Sequence, residues 1–491
     1  MQVKTLLSQL DFGNSVAEFD ESLEDYFVET DIFHDLVHDR INIVSGDKGT
    51  GKTAIYRYLQ RRYTHIPALD DVELIPAFNP SGNPIFQRLT ELEVLKEQQY
   101  IAIWKAYFLT LTGNWLLQFT AGNYGEQTSQ LETLFDEFGF RNADDSPKGT
   151  FTSLLNWVKK RLALRSAGVE IKIDPLGSMI VKPSIEFGNI DTTQRSDENV
   201  ISYDEALALL DSALKENELT LWILLDRLDE AFVGYPEIEI PALRALFRVY
   251  LDFQVYSQFK LKLFVRNDLF RKISSGGFVN LTHVNAKKRE LIWDEDDLFS
   301  LLCQRIRRNT DFLNSLNLTS ASDQELFSVI FPPQVDRGKR KPSSWKWILS
   351  RIRDGNGVMP PRNLVDLANK AKAEQLRKEL RHSRSYEEGG YLIEADSLKQ
   401  ALSRLSKERL EDTLLAESSK EISALINGFR DGKVEHNDQS IADLFGVDIH
   451  MAKRFANILI EIGFLEEVGK NYKIPMLYRD GLGVTQGKAF H

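Results

Sequence analysis

The chain has 491 residues, 42% hydrophobic and 27% charged, which is ordinary for a globular protein and long enough for roughly three domains. Its net charge of −11 gives no support for general nucleic-acid affinity, although a local basic patch stays open. No apolar run approaches the ~20 residues that span a bilayer, Met1-Gln2-Val3-Lys4 lacks a secretory layout, and the single Cys303 can form no internal disulfide, so a cytoplasmic protein with no membrane contact is expected.

Residues 17–39 are acidic, and Leu23, Phe27, Phe33, Leu36 and Val37 recur at helical intervals, predicting one or two helices. Ile41-Asn42-Ile43-Val44 reads as a short buried strand. It runs into Gly46-Asp47-Lys48-Gly49-Thr50-Gly51-Lys52-Thr53, which matches the phosphate-binding pattern G-x-x-x-x-G-K-[ST] without a mismatch. Ala54 to Leu59 then opens a helix. Strand, glycine turn and helix start form the setting in which backbone N–H groups and the positive helix end meet phosphate oxygens. Lys52 is placed for the β- and γ-phosphates and Thr53 for Mg²⁺. Residues 46–54 are therefore the expected nucleotide-binding segment.

Residues 72–78 read as a second strand, broken by Asn79-Pro80-Ser81-Gly82-Asn83-Pro84. A long helical pattern over 91–120 carries Trp104, Tyr107, Phe108 and Trp115, an aromatic stripe read as core. Residues 141–200 look like an insertion, with a helix near 150–165 and a hairpin from 169–173 and 179–182. A helix at about 203–216 leads to Leu219–Leu225, an apolar run suited to a central parallel strand, and 261–265 gives the next strand. From about 290 the pattern is helical, interrupted by a loop at 332–342; Cys303 sits there among Leu298, Leu301, Leu302 and Ile306 as core filler.

The run Trp222-Ile223-Leu224-Leu225-Asp226-Arg227-Leu228-Asp229-Glu230 is a hydrophobic strand ending in acids, about 175 residues after the P-loop. In P-loop NTPases the Walker B acids lie here. Asp226 is the expected Mg²⁺ carboxylate. Glu230 or Asp229 is the expected base for the attacking water, with Glu230 favoured. Arg266, at the end of the next strand, is a candidate for the γ-phosphate, because charge on the transferring phosphoryl group rewards a fixed guanidinium. Gly357 to Asn363 is a turn opening a helix, and it puts Arg362 in a first turn where the macrodipole does not favour a cation. Arg362 is a candidate nucleotide sensor; Arg271 and Arg289 are weaker candidates for an inter-subunit arginine finger. Tyr26, Phe27 and Val28 are candidates for the adenine.

Residues 417–480 read as a winged helix: helices from Ile422, from Ser440 and over 448–462, then a hairpin through Gly469-Lys470-Asn471. His450, Lys453 and Arg454 fall on the outer face of the third helix. Eight Lys/Arg against eleven Asp/Glu leave this module acidic, which favours regulatory packing over DNA contact. The expected fold class is α/β: a P-loop NTPase parallel sheet with flanking helices (ASCE type), an all-α lid and a C-terminal winged helix. The expected divisions are a lead-in at 1–39, the NTPase core at 40–290, the lid at 291–410, and the winged helix and tail at 411–491.

These motifs resemble those of the STAND and AAA+ branch of P-loop ATPases. Asp226-Arg227-Leu228-Asp229-Glu230 is similar to the acidic ending of NACHT and KAP NTPases, and Pro361-Arg362 to the Pro-Arg of their lid. Lys48-Gly49 and Leu225–Glu230 look most like a group of bacterial ATPases often associated with defence against phage. The resemblance implies an ATP- and Mg²⁺-dependent switch that forms a homo-oligomer and acts on a separate effector protein. Two other readings stay open: an ATP-dependent DNA-binding initiator or regulator, since origin-recognition ATPases also end in a winged helix, and a nucleotide-bound scaffold that never turns over. ATP is expected over GTP without a base-specific motif to fix the choice.

Overall fold

Five short segments pair into one parallel sheet. They are β1 Ile43–Gly46, β2 Val72–Ala77, β3 Thr220–Leu225, β4 Phe259–Arg266 and β5 Lys288–Glu290, in the order β2-β3-β4-β1-β5. β1 and β3 are buried almost throughout, as strands covered on both faces must be. β4 stands between the P-loop strand and the strand that ends in acids, as the ASCE expectation requires. The edge strand β5 is Lys-Arg-Glu and carries no apolar signal; pairing with β1 alone defines it. The structure is a computed structural model and describes residues 1–77, 97–141, 202–228, 236–274, 277–278, 280–416 and 419–490. Asp229, Glu230, the expected hairpin and all of the expected insertion except Arg141 lie outside the described residues.

The chain divides into two compact units. One comprises Asp31–Gly46 and Ile55–Glu290; the other comprises Met1–Thr30, Asp47–Ala54 and Leu291–His491. The helix α1, Lys52–Arg62, begins at the P-loop and continues into the sheet unit. In that unit α2 Glu97–Phe119 is buried nearly all round, and Trp104 Nε1 donates to the carbonyl of Ala242 at 2.9 Å. The aromatic stripe is core, as its all-round hydrophobicity predicts. α3 Tyr203–Glu216 starts on a capping box between Ser202 and Glu205 and delivers the chain to β3. α4 Pro236–Asp252 and α5 Asn267–Ser274 flank β4 in sequence.

Lys262 is fully buried in β4. Its Nζ donates to Asp39 Oδ1 at 2.6 Å, the Ile41 carbonyl at 3.0 Å and Asn42 Oδ1 at 2.7 Å, and lies 3.8 Å from the Trp222 ring centre. The lysine thus ties β4 to the residues before β1. Burial pushes it down to about 8 despite the Asp39 carboxylate.

The other unit holds the helices α6 Glu295–Arg307, α7 Ser344–Ile352, α8 Pro361–Glu379 and α9 Ala395–Glu408, the last continuing as a π-helical turn, Arg409–Leu415. The winged-helix segment follows as α10 Lys420–Gly428, β6 Lys433–His436, α11 Asp438–Phe445, α12 Ile449–Glu461, β7 Glu466–Val468, β8 Asn471–Lys473, α13 Met476–Leu482 and β9 Thr485–Lys488. Its strands run β7-β8-β6-β9. The three helices and the hairpin match the sequence reading; β6, α13 and β9 are additions that short polar strands do not announce. One hydrophobic cluster runs from Val3 and Phe12 through Leu298, Trp347 and Leu364 to Phe464 and Leu482, so the N-terminal residues, the lid helices and the winged-helix segment share a core. Cys303 is buried in this unit.

Residues 17–39 carry one α-helix, Asp31–Val37, within the one or two expected, preceded by short 3-10 turns at Ala17–Phe19 and Leu23–Tyr26. The reason for the turns is tertiary: Arg305 donates to Asp20 Oδ2 at 3.1 Å and stacks 4.2 Å from the Tyr26 ring centre, and the Tyr26 hydroxyl bonds Asp20. These contacts hold turns too short to be stable alone.

Candidate nucleotide-binding site

The P-loop departs from β1 at Gly46 and ends where α1 begins at Lys52. Gly49 and Gly51 have φ of +79° and +103°, a region that favours glycine. The loop is braced from within: Thr50 Oγ1 donates to the Asp47 carbonyl at 2.8 Å, and Lys52 Nζ donates to the same oxygen at 2.9 Å. Gly46, Thr50 and Lys52 are buried, while Asp47, Lys48, Thr53 and Ala54 are half-buried.

Within its own unit this loop is gripped by one side chain, Trp293, and by the backbone of Arg362. Trp293 Nε1 donates to the Thr50 carbonyl at 2.6 Å. The Arg362 amide donates to the Gly49 carbonyl at 3.4 Å, and a Cβ at Gly49 would stand 3.1 Å from Arg362 Cβ and 3.4 Å from Pro360 Cβ. Arg362 lies in the first turn of α8, where Pro361 fixes the helix start. The helix that carries the candidate sensor therefore begins against the phosphate-binding loop. Trp293 was not singled out in the sequence; a lone tryptophan between elements gives no motif.

In the sheet unit, Gly46 pairs with Arg266 in register, and Leu225 pairs with Leu263. Parallel strands put their C-terminal ends on one edge, so Gly46, Arg266 and Asp226 belong to the same edge. Asp226 is 6% exposed. Arg227 follows with a φ of +57°, uncommon for a residue with a side chain. Burial and the Asp226 charge push the Tyr56 phenol up to about 12, so α1 presents Tyr56 to that carboxylate. Asp226 and Thr53 offer hard oxygen donors, the kind that suits Mg²⁺. Among the described residues no group of three or more His, Cys, Asp or Glu side chains gathers as a metal cage, and Mg²⁺ in phosphate sites needs none.

Arg266 is held in a fork. Its Nε donates to Asp268 Oδ1 and its Nη2 to Asp268 Oδ2, both at 3.0 Å. Burial acts to raise the Asp268 carboxyl, but the Arg266 guanidinium wins and holds it below the usual carboxylate range. Asn267 reaches the other way, donating to Glu290 Oε1 at 2.6 Å. The i, i+2 spacing of Arg266 and Asp268 is the signal that sequence reading passed over. Arg271 is exposed, and Arg289, 64% exposed at its side chain, lies 3.8 Å from Asp35. Tyr26 is a structural post whose ring and hydroxyl are occupied by Arg305 and Asp20.

The turn ahead of Arg362 is sealed to the winged-helix segment. The Gly355 amide donates to the Gly463 carbonyl at 2.7 Å, and Arg353 Nη2 reaches Glu466 Oε1 at 3.2 Å. Asp354 Oδ1 accepts from the amides of Asn356 and Val358, both at 2.9 Å. Burial, helped by the charge of Asp47, pushes the Asp354 carboxyl up to about 6. His450, Lys453 and Arg454 are exposed on α12, and Lys453 Nζ lies 3.5 Å from Asp438 Oδ2.

No protein-family model matches the chain, and no curated protein matches it. Solved structures do. The Aeropyrum pernix ORC2 protein in ADPNP–ADP complexes is 12% identical with a TM-score of 0.38, covering 94% of this chain and 96% of that one. The Aeropyrum pernix ORC1 protein in complex with DNA is 11% identical with a TM-score of 0.36 and 96% coverage of both chains. CDC6P from Pyrobaculum aerophilum is 12% identical with a TM-score of 0.28, covering 94% and 99%. No helix of the described residues is long and apolar enough to cross a membrane.

Proposed function

We propose that this chain is a Mg²⁺-dependent switch of STAND/AAA+ type that binds and hydrolyses ATP, with the lid helix reading which nucleotide is held. The observation that carries this reading is the backbone contact between Gly49 of the phosphate-binding loop and Arg362 of the lid helix. Amides of the 46–54 segment and the Lys52 ammonium hold the phosphates. Thr53 and Asp226 are the residues for Mg²⁺, which when bound supplies positive charge to the phosphates. Glu230, or Asp229 in its place, takes the proton of the attacking water. Arg266, steadied by Asp268, and Arg362 meet the charge that develops on the transferred group.

The sealed turn at Gly355 supports a winged helix that works by packing on the lid rather than by reading DNA. Exposed His450, Lys453 and Arg454 keep the DNA-binding initiator as the second reading. Homo-oligomerisation and a separate effector in bacterial anti-phage defence follow from the resemblance of residues 46–53 and 225–230.

The test combines nucleotide binding, phosphate release and light scattering. Lys52→Ala should abolish ATP binding. Glu230→Gln should bind ATP, release no phosphate and stay in the ATP-bound assembly. Wild-type turnover in Glu230→Gln would move the base role elsewhere. No phosphate release by the wild type at any protein concentration would make the chain a nucleotide-bound scaffold. A steeply salt-dependent duplex affinity, lost in Lys453→Ala/Arg454→Ala, would select the DNA-binding reading. For the defence role, cells carrying the Lys52→Ala chain should lose phage protection that the wild type confers.

A further inference from the structure

α8 presents one face to α9 and to the π-helical turn after it. Positions 362, 366, 370 and 374 fall four apart on that face. Asp366 pairs with Arg409, Lys370 with Glu408 at 2.7 Å, and Glu374 with Arg404 at 2.6 Å. The ladder rises toward the start of α8, and its top member, Arg362, is the residue packed on Gly49. The rung just below it is therefore Asp366 with Arg409, and Arg409 belongs to the π-helical turn that leads into the winged-helix segment. π-Turns of this kind recur at functional positions.

The rung has a second feature. The Arg409 side chain is 13% exposed, and both its Nε and its Nη2 are buried without a hydrogen-bond acceptor among the described residues, so Asp366 holds it as an ion pair alone. Leaving a buried guanidinium donor unmet costs free energy that a purely structural ion pair would avoid. Burial first, and then the charge of Arg362, push Arg409 down to about 10, so the two guanidiniums feel one another. Tyr478, which is buried, and Asp412 act in the opposite direction and partly offset this.

Arg362 and Asp366 are themselves at i, i+4 on one helix, a spacing at which opposite charges attract along the helix surface. Without Arg409, the Asp366 carboxylate would draw the Arg362 guanidinium back along α8, away from the loop. We propose that Arg409 is a positioning residue: by engaging Asp366 it keeps Arg362 extended toward the nucleotide phosphates, and so makes the winged-helix connection part of the nucleotide-reading device. This rests on the reading of Arg362 as the residue that senses the phosphates.

The experiment measures affinities for fluorescent ATP and ADP analogues in wild type and in Arg362→Ala, Arg409→Met, Arg409→Lys, Arg409→Met/Asp366→Asn and Arg409→Met/Arg362→Ala. Arg362→Ala comes first: it should lower the preference for ATP over ADP by about tenfold, the scale of one charge-assisted hydrogen bond. If that preference is unchanged, the sensor reading of Arg362 fails and this proposal falls with it. If it changes, Arg409→Met should lower the preference by a similar factor, and Arg409→Lys should retain most of it. Removing the capturing carboxylate in Arg409→Met/Asp366→Asn should restore the preference, and Arg409→Met should add nothing to Arg362→Ala. A preference unchanged in Arg409→Met, or a loss not restored by Asp366→Asn, overturns the proposal while leaving the Arg362 reading intact. Because the readout is a ratio of two affinities for the same folded chain, general destabilisation does not imitate it.

Discussion

The amide of Arg362 and the carbonyl of Gly49 meet at 3.4 Å, and the side chain of Arg362 covers the glycine so closely that a Cβ there would stand 3.1 Å from its own. A phosphate-binding loop and a lid helix are thus joined through backbone rather than through side chains alone. A change in the loop on nucleotide binding must be felt at the start of α8, because neither peptide group has a flexible side chain to absorb it.

Gly49→Ala tests this contact. The substitution strains a φ of +79° and presses a methyl group on Arg362 and Pro360. Left-handed strain in a non-glycine residue costs about 1–2 kcal/mol. We expect ATP affinity to fall by about tenfold or more, with a smaller loss of thermal stability, read by nucleotide titration and by melting with and without ATP. Unchanged ATP affinity would show that the loop tolerates displacement from Arg362.

Gly355 is a second close approach. A Cβ there would lie 2.4 Å from the Leu465 carbonyl oxygen and 2.7 Å from its carbon, both backbone atoms. Gly355→Ala should therefore part the turn from the winged-helix corner, at about 1–3 kcal/mol of stability, the usual cost of overpacking. Urea unfolding followed by tryptophan fluorescence should show the midpoint fall. Asp354 and Arg362 flank this turn, so ATP binding should weaken in the same variant.

Asp354 predicts a pH dependence. Its folded-state carboxyl titrates near 6, raised above the ordinary aspartate value of 3.8. A raised carboxyl binds its proton better in the folded state, so its contribution to stability is full below about pH 4 and is lost as pH rises through 6. Asp354→Asn keeps an oxygen for the Asn356 and Val358 amides and removes the charge. The variant should match the wild type at pH 4 and exceed it at pH 7.5 by about 1–2 kcal/mol, allowing for partial solvent access. Equal stability curves from pH 4 to 8 would place the Asp354 carboxyl at its ordinary value.

Asp268 should matter for turnover and little for binding. It orients Arg266 through two parallel hydrogen bonds at 3.0 Å. Asp268→Ala leaves the guanidinium charged but unoriented, and a loosened electrostatic group loses effect in the transition state first. We expect kcat for ATP hydrolysis to drop by about tenfold to a hundredfold with KM within a few-fold of wild type. Wild-type kcat would remove Arg266 from the reaction.

Local sequence determined the pieces of this protein whose physics is local. The P-loop at 46–53 needs glycine at 49 and 51 because only glycine adopts those φ values without cost. The run at 220–225 is a central strand because a strand covered on both faces buries the five consecutive apolar residues Leu221 to Leu225. The aromatic helix at 97–119 is core because it is apolar all round. Tertiary structure decided the rest. β5 is a strand only through β1, and Tyr26 is a post only because Arg305, far along the chain, caps it. The partnership of Arg362 with Gly49, of Asp366 with Arg409 and of Gly355 with Gly463 joins residues whose separation in sequence carries no periodic signal. Motifs record what a backbone must do to meet a phosphate; which helix then leans on that backbone is settled by packing alone.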